Sequence, residues 1–260
     1  MDKPRTLIVI PTLGTRIEML RECLTSISDQ KSHATVVVVH PPENRANLES
    51  LIASHPDVIF ESKNLKMIDS VNYAMKKYSN HEFANWIGDD DLLVNNSISR
   101  CEDILLKNPK VVGVFGGCTY VDENGCDLAT YSPLNRSVNV IGFIPAAIKL
   151  EGGLFRLSSY LEVGGVDPKY VLAPDVYITI RLRDKGLWKK VSGLPVSKFR
   201  IHNDSITAKF QRDGIKEARK IQKMYGSTLD RLILALIGVI IQEVKMLFFL
   251  LIKKKHVLKT

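Results

Sequence analysis

The sequence predicts an α/β protein with a doubly wound, mostly parallel sheet, a smaller mixed second half and C-terminal helices. Three observations lead to this fold class. The chain has 260 residues, of which 45% are hydrophobic, so it can bury a sizeable core. Short apolar runs alternate with helical patterns over the first 117 residues. Beyond residue 117, glycine pairs separate shorter elements, and residues 211–260 again have a helical pattern.

Five runs rich in apolar and β-branched residues predict the strands of the parallel sheet. They are residues 6–10, 35–39, 58–60, 83–87 and 111–115. Apolar spacings of three and four predict the helices between them, as in Ile17, Leu20, Leu24 and Ile27. The later predicted helices are residues 47–54, residues 68–78 and Ser97–Lys107. A strand–helix order of this kind gives right-handed crossovers and a parallel sheet.

Three consecutive carboxylates, here called the aspartate cluster (Asp89, Asp90 and Asp91), follow the fourth predicted strand. In doubly wound sheets, ligands bind beyond the carboxyl ends of the strands. Adjacent like charges repel and need a positive partner, and oxygen ligands suit Mg²⁺ or Mn²⁺. A solvated acidic turn before the helix that begins at Ser97 is the alternative interpretation.

The chain is expected to divide at residues 117 and 210. Residues 1–117 would form the half with the parallel sheet, residues 118–210 the smaller mixed half, and residues 211–260 a basic, apolar tail. The tail holds eleven Lys and Arg against four acids, a charge of +7 out of a total of +8. The remaining body is therefore near neutral, which disfavours a nucleic-acid-binding protein.

Residues 232–252 include 17 apolar residues and have the length of a membrane span. Glu243 and Lys245 lie near the middle of this segment, which favours a helix lying on an anionic membrane surface. Packing on the protein core, packing in a homodimer and true spanning are the alternatives. Four cysteines without a CxxC pair, and the absence of an apolar leader, lead us to expect a cytoplasmic protein on the inner face of the membrane.

Seven segments between residues 5 and 205 resemble, in order, the motifs of family 2 glycosyltransferases with the GT-A fold. Residues 10–16 resemble (I/V)PTxxR, residues 20–30 LxxCLxSIxxQ and residues 68–74 YDAxNxG. The aspartate cluster lies where the family has its DxD or DD motif. Three later segments resemble GxxxfRR…GGFDE, (E/D)D…R…G and yRxHxxS, and they are residues 152–167, 175–186 and 199–205.

The resemblance implies an inverting transfer of a sugar from a nucleotide diphospho-sugar, with a UDP-sugar favoured. It also implies that residues 1–117 are the nucleotide-sugar-binding half of the domain and residues 118–210 the acceptor-binding half. The acceptor is expected to be a hydroxyl of a glycan or polyprenyl-linked carrier in bacterial-type surface polysaccharide synthesis. The residues expected to bind the donor are Pro11, Thr12, Arg16, Glu43, Asp69, Asp89, Asp90 and Arg156. The expected ligands of Mn²⁺ or Mg²⁺ are Asp89, Asp90, Asp91 and His202. Either Asp89 and Asp91 form a DxD pair, or Asp90 is the principal ligand.

Asp175 is the expected general base, because it lies where the family has an acidic residue. Its alternative role is to cap the helix predicted over residues 176–183. Residues 39–43 lack the Asp with which the family contacts the nucleobase after its second strand, so this contact either falls to Glu43 or is absent. The other candidate functions are a sugar-1-phosphate nucleotidyltransferase and an inactive scaffold of the same fold. The loop after the first strand has one Gly and no Lys, which disfavours the nucleotidyltransferase.

Overall fold

The computed structural model describes residues 4–141, 147–232 and 235–236. Its strands are β1 (Thr6–Pro11), β2 (Ala34–His40), β3 (Ile59–Ser62), β4 (Phe83–Trp86), β5 (Leu92–Leu93), β6 (Val111–Gly116), β7 (Cys118–Val121), β8 (Asp127–Tyr131), β9 (Lys149–Arg156), β10 (Leu187–Lys190) and β11 (Ser197–Arg200). Its α-helices are α1 (Ile17–Ser28), α2 (Glu49–Ser54), α3 (Met67–Lys77), α4 (Ser97–Lys107), α5 (Ser137–Val140), α6 (Leu157–Glu162), α7 (Pro174–Arg183), α8 (Ile206–Lys209) and α9 (Gln211–Tyr225). A 3-10 helix spans Pro42–Leu48.

Seven strands form a large sheet in the order β10-β6-β9-β4-β1-β2-β3. The strands β1, β2, β3 and β4 are mutually parallel where they pair, and β10 is parallel to β6. Strand β9 is antiparallel to both of its neighbours, β4 and β6. The predicted fold class, a mostly parallel sheet with helices, is therefore confirmed. Two strands of this sheet, β9 and β10, come from beyond residue 117, and the division at that residue stays a prediction.

A second sheet has the order β5-β11-β7-β8 and lies next to the carboxyl end of β4. Strand β11 is parallel to β7, while β5 and β8 pair antiparallel with their neighbours. The two-residue strand β5 follows the aspartate cluster directly and pairs with β11. The end of β11 is thereby brought close to the aspartates.

Alternate residues of β1 enter two different hydrophobic clusters, because successive side chains of a strand point to opposite faces. Leu7 and Val9 pack with residues of α3, α6 and α7. Ile8 and Ile10 pack with residues of α1 and α4. Helices therefore cover both faces of the large sheet, and its polar strand ends lie at the edge.

The main differences from the predicted elements concern the second crossover and the tail. The helix predicted over residues 47–54 starts as the 3-10 helix Pro42–Leu48 and continues as α2, because Pro42 suits the first helical position. Most of residues 232–252 lies outside the described residues. None of the described helices is long and apolar enough to cross a membrane.

Candidate functional site

The aspartate cluster lies at the carboxyl edge of the large sheet, between β4 and β5. Strand β1 is parallel to β4, so Thr12 and Arg16 at its carboxyl end lie beside the cluster. The Thr12 hydroxyl donates a hydrogen bond to Asp89 Oδ2 and accepts one from the Gly14 N–H at 2.9 Å. The loop that follows β1 is therefore fixed to the first aspartate.

Arg16 binds two of the three aspartates with its guanidinium group. Its Nη2 donates to Asp89 Oδ1, and its Nη1 lies 2.9 Å from Asp90 Oδ2. Burial raises the pKa of Asp89 above its ordinary value, although Arg16 and Thr12 oppose this effect. The positive partner that the cluster requires is thus supplied, in part, by the chain itself.

His202 contacts the same carboxylate oxygen of Asp90 as Arg16 does. Its Nε2 lies 2.9 Å from Asp90 Oδ2 and 3.3 Å from Arg16 Nη1. Burial alone would raise the pKa of Asp90, but the hydrogen bond from His202 and the charge of Arg16 outweigh it and lower the pKa. Asp90 is therefore the member of the cluster whose ionised form is favoured by its surroundings.

Asp91 is, like Asp89, a deeply buried carboxylate of the site. Its Oδ1 accepts a hydrogen bond from the backbone N–H of Arg200 at 3.0 Å. Burial, followed by the charges of Asp90 and Glu151, raises its pKa well above the ordinary value. An additional positive charge near Asp91 would relieve this unfavourable environment.

The side chain of Arg200 is only 1% exposed and ties the cluster to its surroundings. Its Nε donates to the backbone oxygen of Asp90 at 2.9 Å, and its Nη1 donates to the backbone oxygen of Glu123 at 2.7 Å. Its Nη2 donates to the Glu22 carboxylate on α1. Arg200 therefore fixes the main chain of the cluster relative to α1 and the β7–β8 turn.

Asp175 lies in the first turn of α7 and is linked to the cluster through Lys149. The Lys149 ammonium interacts electrostatically with Asp91, Glu151 and Asp175. Burial would lower the pKa of Lys149, but the acidic groups around it raise the pKa above its ordinary value. Its Nζ also lies 4.3 Å from the centroid of the Phe199 ring.

Solved structures with this architecture are glycosyltransferases. S. aureus TarS superposes with a TM-score of 0.60 at 13% identity, over 88% of this chain and 41% of TarS. TarS 1-349 in complex with UDP-GlcNAc gives 0.61 at 13% identity, over 84% and 65%. The mannosyltransferase PcManGT from Pyrobaculum calidifontis, in complex with GDP-Man and Mn²⁺, gives 0.56 at 16% identity, over 84% and 65%. The chain has the GT-A fold.

The chain spans less than two thirds of the length of each of these GT-A proteins. No protein-family model matches the chain, and no curated protein matches it. At these identities the structural likeness establishes the fold. Specific chemistry has to be argued from the residues at the carboxyl edge of the sheet.

The space beside Gly88 is the place where this GT-A site could hold a divalent cation. A Cβ atom at residue 88 would lie 2.6 Å from Asp90 Oδ1 and 3.2 Å from Asp91 Oδ2. Both carboxylate oxygens approach this point so closely that only glycine fits at residue 88 unless a carboxylate moves. Within the described residues, no group of three or more His, Cys, Asp or Glu side chains is placed to hold a metal ion. Two carboxylates nevertheless suit Mg²⁺ or Mn²⁺, which usually take their other ligands from phosphates and water.

The remaining predicted donor-binding residues are spread along the site and beyond it. Pro11 ends β1, and Asp69 lies in the first turn of α3. Glu43 is exposed in the 3-10 helix after β2. Arg156 is not brought to the site. It ends β9 beside the start of β4, and it donates to the backbone oxygens of Leu105 at 2.7 Å and Val111 at 2.8 Å.

Sequence reasoning missed Lys149 and Glu151 and gave Arg200 no role. Lys149 and Glu151 alternate with an apolar residue at the start of β9, which places both charges on one face of a strand. That alternation is a usable signal for a charged face turned toward a site. Arg200 lies two residues before His202, within the yRxHxxS-like segment, and its burial became visible only in the structure.

Proposed function

We propose that the protein is a glycosyltransferase that moves a sugar from a nucleotide diphospho-sugar to an acceptor hydroxyl. The observation that carries this proposal is the convergence of Asp90 Oδ1 and Asp91 Oδ2 on the same side of Gly88, with the Arg16 guanidinium bound to Asp90. A diphosphate needs cationic partners, and this edge of a GT-A sheet offers an arginine and two metal-binding oxygens.

The donor is bound by the residues around β1 and the cluster. Arg16 is partly exposed and can contact the diphosphate while it keeps its bonds to Asp89 and Asp90. Pro11, Thr12, Glu43 and Asp69 line the side toward the nucleotide, for which a UDP-sugar is favoured. The bound Mn²⁺ in PcManGT agrees with a metal-dependent donor site, and UDP-GlcNAc in TarS agrees with a uridine nucleotide.

Asp90 and Asp91 would hold Mn²⁺ or Mg²⁺ together with diphosphate oxygens. Such an ion neutralises the negative charge that develops on the diphosphate leaving group. His202 is the further proposed ligand of the ion, and its 2.9 Å contact also orients Asp90. Arg200 keeps both aspartates in place through the backbone contacts described above.

Asp175 acts as the general base toward the acceptor hydroxyl, and the reaction inverts the configuration of the anomeric carbon. The base takes the hydroxyl proton as the oxygen attacks the sugar from the face opposite the diphosphate. Lys149 lies within electrostatic reach of both Asp175 and Asp91, so one ammonium group connects the proposed base with the aspartate cluster.

The acceptor is a glycan or a polyprenyl-linked carrier used in surface polysaccharide synthesis. The basic tail would place the protein peripherally on the cytoplasmic face of the membrane, where such carriers are found. A homodimer formed through the tail is the alternative use of the same apolar segment.

A screen of UDP-, GDP- and dTDP-sugars with Mn²⁺ tests the proposed function. We expect one nucleotide class to raise the Tm, and only when Mn²⁺ is present, because the ion is proposed to bind together with the diphosphate. A ligand at about 100 times its Kd raises the free energy of unfolding by about 2.7 kcal/mol. Release of the nucleoside diphosphate with that donor then measures transfer. No stabilisation by any donor would contradict the proposal. Diphosphate release from UTP and a sugar-1-phosphate would point to a nucleotidyltransferase.

A further inference from the structure

Helix α9 has one buried face and one basic face. Ala218, Ile221 and Gln222 are buried against the body of the protein. The opposite face carries four exposed cations separated by four, four and three residues, which places them on one side of the helix. These four residues, here called the basic face, are Arg212, Lys216, Lys220 and Lys223.

The charges of the basic face are largely uncompensated. Among the residues that the structure describes, Lys216 alone of the four has a carboxylate partner, Asp213 at 2.9 Å. Residues 211–260 carry a net charge of +7, against +1 for the rest of the chain. Within the described residues, α9 therefore presents a concentrated positive face.

The basic face is held in a fixed orientation relative to the candidate base. Glu217 Oε1 accepts hydrogen bonds from the backbone N–H groups of Leu172 at 2.7 Å and Ala173 at 2.8 Å, immediately before α7. Helix α7 carries Asp175 in its first turn. On the same helix α9, Gln222 Nε2 donates to the Ile141 oxygen at 2.9 Å. A surface that rests on the basic face thus lies at a defined position relative to the start of α7.

Exposed leucines follow the basic face along the chain. Leu229, Leu232 and Leu236 are 63%, 58% and 72% exposed, at spacings of three and four residues. Large apolar side chains next to a cationic face are typical of helices that lie in the headgroup region of a membrane. A nucleic-acid surface would need no such apolar row.

We propose that the basic face of α9 and the leucines that follow it form the surface on which the protein rests on an anionic lipid bilayer. The cations bind lipid phosphates, and the leucines enter the headgroup region. What the membrane delivers depends on the proposed function: a lipid-linked acceptor would reach the site from the side of α7 that carries Asp175.

Cosedimentation of the full chain with vesicles tests this surface. We compare vesicles of phosphatidylcholine alone with vesicles that also contain phosphatidylglycerol. The test variant combines Lys216→Glu, Lys220→Glu and Lys223→Glu. A matched variant makes the same charge change at three exposed lysines on the opposite edge of the large sheet, Lys31, Lys107 and Lys110.

We expect the wild type to bind the anionic vesicles and to dissociate at high salt. The α9 variant should bind at least tenfold more weakly, since each surface lysine contributes about fivefold, and the matched variant should bind like the wild type. Four results would each overturn the proposal. They are an equal loss of vesicle binding in both variants, unchanged vesicle binding of the α9 variant, equal binding of the wild type to neutral and anionic vesicles, and tighter binding of the wild type to duplex DNA than to vesicles. Donor-dependent stabilisation of the same preparations tests the transferase separately, so the two failures are distinguishable.

Discussion

Asp91 is a buried side chain whose surroundings disfavour the charge that its proposed role requires. Burial, Asp90 and Glu151 raise its pKa well above the ordinary value. A carboxyl with a raised folded-state pKa gives its full stability below the unfolded pKa, about 3.9, and loses it as the pH rises through the folded pKa. Keeping Asp91 ionised for a cation therefore lowers the stability of the metal-free protein.

We expect Asp91→Asn to abolish sugar transfer and to stabilise the metal-free protein. The asparagine oxygen can keep the hydrogen bond from the Arg200 N–H, while the unfavourable charge is removed. In EDTA the gain should grow with pH and reach roughly 1 kcal/mol, or about 2–4 °C in Tm for a chain of this size. Thermal unfolding across a pH series measures it, with the exposed Asp57→Asn as a control without effect. A variant less stable than the wild type at every pH would contradict this reasoning.

Arg200 orients the cluster without facing the space beside Gly88. We expect Arg200→Met to weaken Mn²⁺ binding by about 10–100-fold, the usual cost of losing a group that positions metal ligands. Titrations followed by electron paramagnetic resonance measure this affinity. Arg100→Met is the matched control, because Arg100 donates to the backbone oxygens of Ser192 at 2.8 Å and Leu194 at 2.6 Å, away from the aspartates. If both variants lose Mn²⁺ affinity equally, Arg200 has only a general stabilising role.

At the scale of elements, local periodicity predicted the parallel half of the sheet. The strands β1, β2, β4 and β6 and the helices α1, α3 and α4 have apolar patterns that the core then buries. Tertiary contacts shift some bounds, as in β3, where the predicted residues 58–60 became Ile59–Ser62. The order of elements thus followed from sequence, while several ends did not.

The insertion of β9 into the large sheet could not be predicted, because its glycine pair indicated a break. Gly152 has a φ of +73°, and a Cβ atom there would lie 2.5 Å from the Val196 oxygen. A Cβ atom at Gly153 would lie 2.4 Å from the Val114 oxygen. Both glycines permit close approach of backbones within a strand that joins two distant parts of the chain. Such long-range pairing leaves no periodic signal in the sequence.

The absence of a sequence signal for long-range pairing also explains which residues of the candidate site could be predicted. Thr12, Arg16 and the aspartate cluster follow strands of the parallel sheet, so topology alone places them at one edge. Lys149 and Arg200 reach that edge only through β9 and the second sheet. Arg156 was expected at the donor because of its motif, yet it binds backbone oxygens at the other edge of the sheet.

At the scale of the whole molecule, charge and topology give the protein an acidic site and a basic helix face. The carboxyl edge of the large sheet carries the acidic site, and α9 carries the basic face. Glu217 links α9 to the start of α7, so the orientation of α9 relative to α7 is fixed. Under the two proposals above, this arrangement would let a membrane-bound acceptor meet the donor at the candidate site.

The Arg183–Asp230 ion pair connects the residues after α9 to the body of the protein. Asp230 Oδ2 accepts from Arg183 Nη2 at 2.7 Å and from the Ser227 N–H at 2.8 Å. Burial alone would raise the pKa of Asp230, but the hydrogen bonds from Arg183 and Ser227 outweigh it and lower the pKa. The pair therefore stabilises the fold above the ordinary Asp pKa, and this contribution is lost as the pH falls through the lowered value.

Two truncations separate membrane binding from folding. A chain that ends at residue 228 loses Asp230 and leaves the mostly buried Arg183 without its ion-pair partner, so we expect a loss of roughly 2 kcal/mol in unfolding free energy. A chain that ends at Leu232 keeps the ion pair and the basic face. It should unfold like the full chain and bind anionic vesicles more weakly but still in a salt-dependent way. Thermal unfolding and vesicle cosedimentation of both chains measure these effects, and equal Tm values for the two truncations would contradict the role of Asp230.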